Sequence, residues 1–261
     1  MLPVSMRWPR HPGLRIPIGI GFVAGAFVLA NLALPDLAAV AVGILAVIAA
    51  YVAYVRLVEK RALYEFAAER AALELALGLA VGAALFCSTM LVLWLAGYAT
   101  IRVDGGLAAL PRPLLFALGA ATFEELLFRG VLLRLLAAWV GRWWALAASA
   151  AIFGAMHAFN PNATILGVVS VAVEAGILLG AAFLATRRLW LPIGLHIAWN
   201  FTESGIFGAA LSGNDTHGYL RSDFAGPELW TGGSFGPEAS LVAVLLCLVA
   251  AAPFLRRIST Q

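Results

Sequence analysis

Eight apolar runs, at about 16–34, 37–55, 73–98, 114–138, 143–158, 163–185, 189–207 and 238–254, constrain the fold of this sequence more than any other feature. A stretch of roughly 20 apolar residues is the length of a helix crossing a bilayer core. Lipid offers no partner to a backbone N–H or C=O, so a chain built from such runs satisfies those groups internally, as helices. Composition agrees. The chain is 62% hydrophobic and 12% charged, with a mean hydropathy of +0.93, against roughly 45–50% and 25% for a soluble domain. The fold class expected is all-α, a polytopic membrane helix bundle of about eight transmembrane helices, with too little chain left over for a separate soluble domain.

The basic residues set an orientation. With the N-terminus in the cytoplasm, Arg7, Arg10, Arg15, Arg56, Lys60, Arg61, Arg70, Arg134, Arg142, Arg187, Arg188, Arg256 and Arg257 fall at cytoplasmic ends, and only Arg102, Arg112 and Arg221 fall outside. This bias predicts that both termini are cytoplasmic. No convincing cleavage site follows the first run, so an uncleaved first span is expected. The basic residues form no stripe, which excludes nucleic acid as a partner. Cys87 and Cys247 lie in apolar runs and imply neither a disulfide framework nor a cysteine metal site. The localisation expected is a multi-pass protein of the cell membrane, in a bacterium the inner membrane, with lipid as its surroundings.

Two parts are expected along the chain. Residues 1–110 hold the N-terminal transmembrane helices and a charged amphipathic segment, 56–71, placed on the membrane surface. Residues 111–261 hold the remaining helices and a glycine-rich extracytoplasmic loop, 208–237, with Pro227 and Pro237 as turn formers. The spacings Gly78-xxx-Gly82 and Gly176-xxx-Gly180 predict close helix packing.

Chemistry enters with Ala121-Thr-Phe-Glu-Glu-Leu-Leu-Phe-Arg-Gly130, which sets Glu124, Glu125 and Arg129 inside an apolar run. Each such charge costs roughly 2.5–3.5 kcal/mol on insertion scales, so the cluster needs partners or a task. Glu125 and Arg129, at i and i+4, share a helix face and suit an ion pair that fixes packing. Glu124 points elsewhere and is left as an acid available for proton transfer. Further along, Phe153-Gly-Ala-Met-His157 ends the fifth run, and His196-Ile-Ala-Trp-Asn200 places a histidine and an asparagine on one face of the seventh. Polar groups this costly are expected to converge on one cavity. Glu203 follows Asn200 by about one turn and is expected to line that cavity or orient Asn200, whereas Glu174 is expected to pair with a neighbouring helix. The set suits hydrolysis of an amide. Glu124 would take a proton from water, His157 would help activate the water or protonate the leaving nitrogen, and His196 with Asn200 would donate to the oxyanion. The same Glu/His set could alternatively hold a divalent metal. No serine or cysteine is placed to act as a covalent nucleophile.

These residues resemble the CPBP family of intramembrane proteases, which includes CAAX prenyl endopeptidases and bacteriocin-processing or immunity-type proteins. The three family motifs appear in order: Glu124, Glu125 and Arg129 in Glu-Glu-x-x-x-Arg; Phe153 and His157 in Phe-x-x-x-His; His196 and Asn200 in His-x-x-x-Asn. Arg188-Leu-Trp-Leu-Pro192 and Gly226-Pro-Glu-Leu-Trp-Thr-Gly-Gly-Ser-Phe-Gly-Pro-Glu-Ala-Ser240 are also similar to the family, and the resemblance is strongest from about 110 to 240. It implies that 111–261 is a CPBP-like catalytic core. The activity implied is an endopeptidase acting on a peptide bond of a membrane-associated or lipid-modified protein, with Glu124, His157, His196 and Asn200 catalytic and Glu125, Arg129 and Glu203 in support. The preferred form is glutamate-dependent and requires no cofactor. The alternative is a metalloprotease, holding zinc for instance, with Glu124, His157 and His196 as ligands. Two other classes share these features: a silent membrane binding or immunity protein of the same fold, and a proton-coupled transporter.

Overall fold

The structure, a computed structural model, describes residues 11–260. Arg7 and Arg10 of the orientation argument lie outside the described residues. The chain opens with α1 (Pro12–Ala33), whose N-terminus is capped by His11 accepting from the Gly13 N–H, with proline at its first position. Next come α2 (Asp36–Ala53), which continues into a π-helical turn over Tyr54–Glu59, then α3 (Ala71–Leu95) and a short strand β1 (Ala99–Val103). The next helical rod runs unbroken through α4 (Pro111–Glu124), a π-helical stretch Glu125–Leu133 and α5 (Arg134–Val140), and stops at Gly141 with φ 83°. After it come α6 (Arg142–Met156), α7 (Ile165–Val171), a π turn Ala172–Gly176, α8 (Ile177–Thr186) and α9 (Trp190–Asn200), which continues as a π turn over Phe201–Ile206. Strand β2 (Leu220–Phe224), the short α10 (Glu228–Thr231) and α11 (Leu241–Ser259) complete the chain.

Each expected apolar run is helical. Five helices, Pro12–Ala33, Leu37–Glu59, Ala71–Leu95, Ile165–Thr186 and Leu241–Ser259, are long and apolar enough to cross a membrane, and the chain is a multi-pass membrane protein. The other runs are different in kind. The rod from α4 to α5 carries Glu124, Glu125, Arg129 and Arg134, α6 has 15 residues, and α9 has 11 before its π turn. These are the helices that carry the polar motifs.

The interior is organised around α9, in which every residue from Leu191 to Asn200 is buried. Its closest neighbour is α3. A Cβ built on Gly78 or Gly82 would strike the carbonyl oxygen of Leu191 or Leu195, and one on Gly194 would strike that of Leu75, so the two backbones touch. The Gly176-xxx-Gly180 spacing works similarly against α6, meeting Ala150 and Leu146.

One expectation of the sequence is corrected. The fold is not purely helical: β1 and β2 pair antiparallel, Ala99 opposite Phe224 through Val103 opposite Leu220, so the loop 208–237 contains a strand and a helical turn. β1 holds the β-branched residues Thr100, Ile101 and Val103, which favour an extended chain. The segment 56–71 is a folded connector that holds the end of the π-helical turn Tyr54–Glu59 and a short helical turn over Tyr64–Phe66. The Glu59 and Glu65 side chains are buried and share Arg61 and Arg134 at 2.6–3.2 Å, and the Trp190 indole N–H donates to the Ala67 carbonyl at 3.0 Å. Burial works against the Arg61 charge, but Glu65 and Glu59 outweigh it and raise the guanidinium above its ordinary value.

Candidate active site

Glu124 ends the α-helical part of its rod and Glu125 begins the π stretch, a widened form of helix frequent at functional positions. The i, i+4 ion pair is formed: Arg129 Nη1 donates to Glu125 Oε1 at 2.8 Å, with both side chains essentially unexposed. Arg129 is held twice more, by Nη2 donating to the Ala175 carbonyl at 3.0 Å and by its guanidinium lying 4.5 Å from the centre of the Phe153 ring. Glu125 Oε1 also meets His196 Nδ1 at 2.9 Å, so one carboxylate fixes both an arginine and a histidine.

That contact sets the His196 tautomer. A carboxylate oxygen accepts, so Nδ1 carries the proton and Nε2 faces the other way, 3.9 Å from Glu124 Oε2. His157, at the end of α6, is oriented in the same manner. Its Nδ1 stands 2.8 Å from the Phe153 carbonyl, which can only accept, leaving Nε2 as the free position. Phe153 is the hub beneath them, touching Phe128 edge-on at 4.9 Å, the His157 ring at 4.9 Å and the His196 ring at 6.3 Å.

Glu124, His157, His196 and Asn200 all line one cavity of about 510 Å³. Its apolar wall includes Ile20 and Ala24 of α1 together with Phe123, Leu127, Ile152 and Met156, so the first helix contributes to the site. Glu124, 22% exposed along its side chain, also borders a second cavity of about 220 Å³ between α1, α2 and α4, beside the stacked rings of Phe27 and Phe123.

Glu203 lies elsewhere. It is fully buried, stands outside the cavity lining, and among the described residues its carboxylate makes no hydrogen bond to Asn200. The π turn that begins at Phe201 carries it behind the wall, where its acidic neighbours are Glu238 and Glu174. Glu174 does line the cavity, with the Cys247 thiol 3.9 Å away. Glu238 was not singled out by sequence reasoning and also lines it, 3% exposed, with Oε1 accepting the Ser212 N–H at 2.6 Å. Burial raises its carboxyl above the ordinary range, against the opposing pull of Ser212 and of the nearby His157. The available signal was a second Gly-Pro-Glu, at 236–238, echoing Gly226-Pro-Glu228.

Among the described residues no three His, Cys, Asp or Glu side chains are grouped as a metal ion needs. Glu124, His157 and His196 face one cavity without closing into a ligand shell, so no step below passes through a metal.

No curated protein and no solved structure matches the chain. Residues 106–202, which supply Glu124, Glu125, Arg129, Phe153, His157, His196 and Asn200, match the family model for type II CAAX prenyl endopeptidase Rce1-like proteins. Over this segment, which is less than half of the chain, the sequence is similar to that family of proteases.

Proposed function

We propose that the protein is a glutamate-dependent intramembrane endopeptidase that hydrolyses a peptide bond next to a lipid-modified or membrane-inserted segment of its substrate. The observation that carries this reading is Glu124: a half-buried carboxylate whose Oε2 has no hydrogen bond among the described residues, facing His196 Nε2 at 3.9 Å in a cavity shared with His157 and Asn200. A separation beyond direct hydrogen bonding suits one bridging water. Glu124 removes a proton from that water as its oxygen attacks the scissile carbonyl. The oxyanion is met by the Asn200 amide and by His196, whose Nε2 donates in the doubly protonated ring. That state balances charge, with Glu124 and Glu125 against Arg129 and the imidazolium. His157 Nε2, bare while Nδ1 donates to the Phe153 carbonyl, takes up the proton that Glu124 removed from the water and passes it to the leaving nitrogen as the C–N bond breaks, which returns Glu124 to its carboxylate form.

The bundle that holds this chemistry has eight crossing helices and both termini on the cytoplasmic side, in a bacterial inner membrane. Residues 111–261 form its catalytic core. The apolar wall accepts the hydrophobic part of the substrate, which keeps the peptide bond at the depth of Glu124.

The test is reconstitution of the purified protein in lipid nanodiscs with a prenylated and an unprenylated form of one peptide, each with and without a chelator. Cleavage of the prenylated peptide, unaffected by the chelator, is expected. Loss on chelation with recovery on added zinc would overturn the glutamate mechanism, and absence of any cleavage would overturn the enzyme.

A further inference from the structure

We propose that Glu238 is a positioning residue for His157, acting through a stack of three loops that it clamps from behind. This rests on the proteolytic reading, in which His157 handles the leaving-group proton. The outer layer is the turn at Pro237–Ala239, the middle layer the turn at 211–214, and the inner layer the segment that follows His157.

The hydrogen bonds run through the layers in order. Glu238 Oε1 accepts the Ser212 N–H at 2.6 Å, and the Ser212 carbonyl accepts from Asn160 Nδ2 at 2.7 Å. The Asn160 N–H then donates to the His157 carbonyl at 3.2 Å. Beside this chain, the Gly213 N–H donates to the Phe235 carbonyl at 2.7 Å, and the Gly213 carbonyl accepts from Asn162 at 3.0 Å through Nδ2. Ser212 has φ 48°, a left-handed conformation that a non-glycine residue keeps only when its surroundings hold it.

The clamp matters because of where His157 stands. It caps α6, and among the described residues the hydrogen bond to its ring is with the Phe153 carbonyl behind it. The aim of Nε2 therefore depends on the three residues that follow, and Asn160 ties those residues to Ser212 and thus to Glu238. Glu238, Ser212, Asn160 and His157 line the same cavity, so a shift in the stack moves the histidine relative to the bond being cut.

A displacement near 1 Å costs on the order of 10²-fold in rate. Glu238→Ala is expected to lower kcat roughly 10- to 100-fold with KM little changed, and Glu238→Gln, which keeps an oxygen for the Ser212 N–H, to recover most of the loss. Asn160→Ala breaks the chain one link further on and should reproduce the Glu238→Ala loss. The double variant should be no slower than the slower single, because one route cannot be cut twice. A normal kcat for Glu238→Ala or for Asn160→Ala, multiplying losses in the double variant, or a Gln variant as slow as Ala would each overturn the proposal. A readout independent of activity is the ¹⁵N signal of the His157 ring in nanodiscs. It should move in both Glu238→Ala and Asn160→Ala, and an unmoved signal sinks the proposal whatever the rates. If His157→Ala cleaves as well as the parent while that signal moves, the catalytic reading of His157 fails and the positioning contact stands. Where Glu238→Ala does not fold, the Gln and Asn160 variants decide the matter on the same two readouts.

Discussion

Replacing Arg129 with methionine asks what the buried ion pair contributes. Met is apolar and of similar length, so Arg129→Met keeps much of the volume under Phe153 while deleting the charge. The arginine is 1% exposed, and its guanidinium serves Glu125, the Ala175 carbonyl and the Phe153 ring at once. After the substitution Glu125, which is fully buried, keeps among the described residues the His196 Nδ1 contact at 2.9 Å. Breaking a buried pair from one side costs about 3–5 kcal/mol, because the remaining charge is left without its partner. The lost cation–π contact, up to about 2 kcal/mol when desolvated, acts in the same direction. At roughly 2–4 °C per kcal/mol for a chain of this size, the midpoint of thermal unfolding should fall by about 6–28 °C. Tryptophan fluorescence in nanodiscs follows this, with 8 tryptophans in the chain. The companion variant Glu125→Gln with Arg129→Met removes the orphaned carboxylate and should regain at least half of the loss. A midpoint for Arg129→Met within about 2 °C of the parent, under 1 kcal/mol on that scale, would refute the reasoning. So would a double variant less stable than the single.

Two further outcomes follow from packing and from the connector. Gly82→Ala inserts a methyl group where α3 touches α9, 3.1 Å from the Ala198 Cβ and against the Leu195 carbonyl. Overpacking costs about 1–3 kcal/mol, more than the 0.5–1 kcal/mol or so that alanine gains over glycine within a helix, so the unfolding midpoint should drop, and a rise would show that the helices do not touch there. Arg134→Leu removes the bidentate contact to Glu59 at 2.8–2.9 Å and the bond to the Gly130 carbonyl at 2.7 Å, leaving Arg61 as the cation between Glu59 and Glu65. Hydrogen bonds to charged groups are worth about 1.5–3 kcal/mol, and the loss should persist at high salt because Glu59 is buried. Complete recovery of stability in high salt would place the network at the surface.

What could be read in the sequence was whatever repeats along one helix. Glu125 with Arg129, and His196 with Asn200, stand at i and i+4, and a bilayer makes their convergence on a cavity the cheap solution. What escaped depends on contacts between distant segments. β1 pairs with β2 across all the helices from α4 to α9, and nothing local in Ala99–Val103 names its partner. Glu203 looked co-facial with Asn200 on an α-helix, but the chain widens into a π turn at Phe201 and the carboxylate goes behind the wall. Glu238 sits in a glycine–proline turn that reads as solvated loop, and it becomes buried only because the 211–214 turn folds over it. The acids at 59 and 65 looked like a polar surface face until Arg134, from another helix, was found between them.

The most direct trial of the mechanism is cleavage of a lipidated peptide by the reconstituted Glu124→Gln variant, with its unfolding midpoint measured in the same preparation. Glutamine keeps the shape of the side chain and cannot accept the water proton, so the rate should fall by about 10²–10⁴-fold while the midpoint stays at or above that of the parent. A folded Glu124→Gln variant that cleaves at the parental rate would contradict the assignment of this carboxylate as the base.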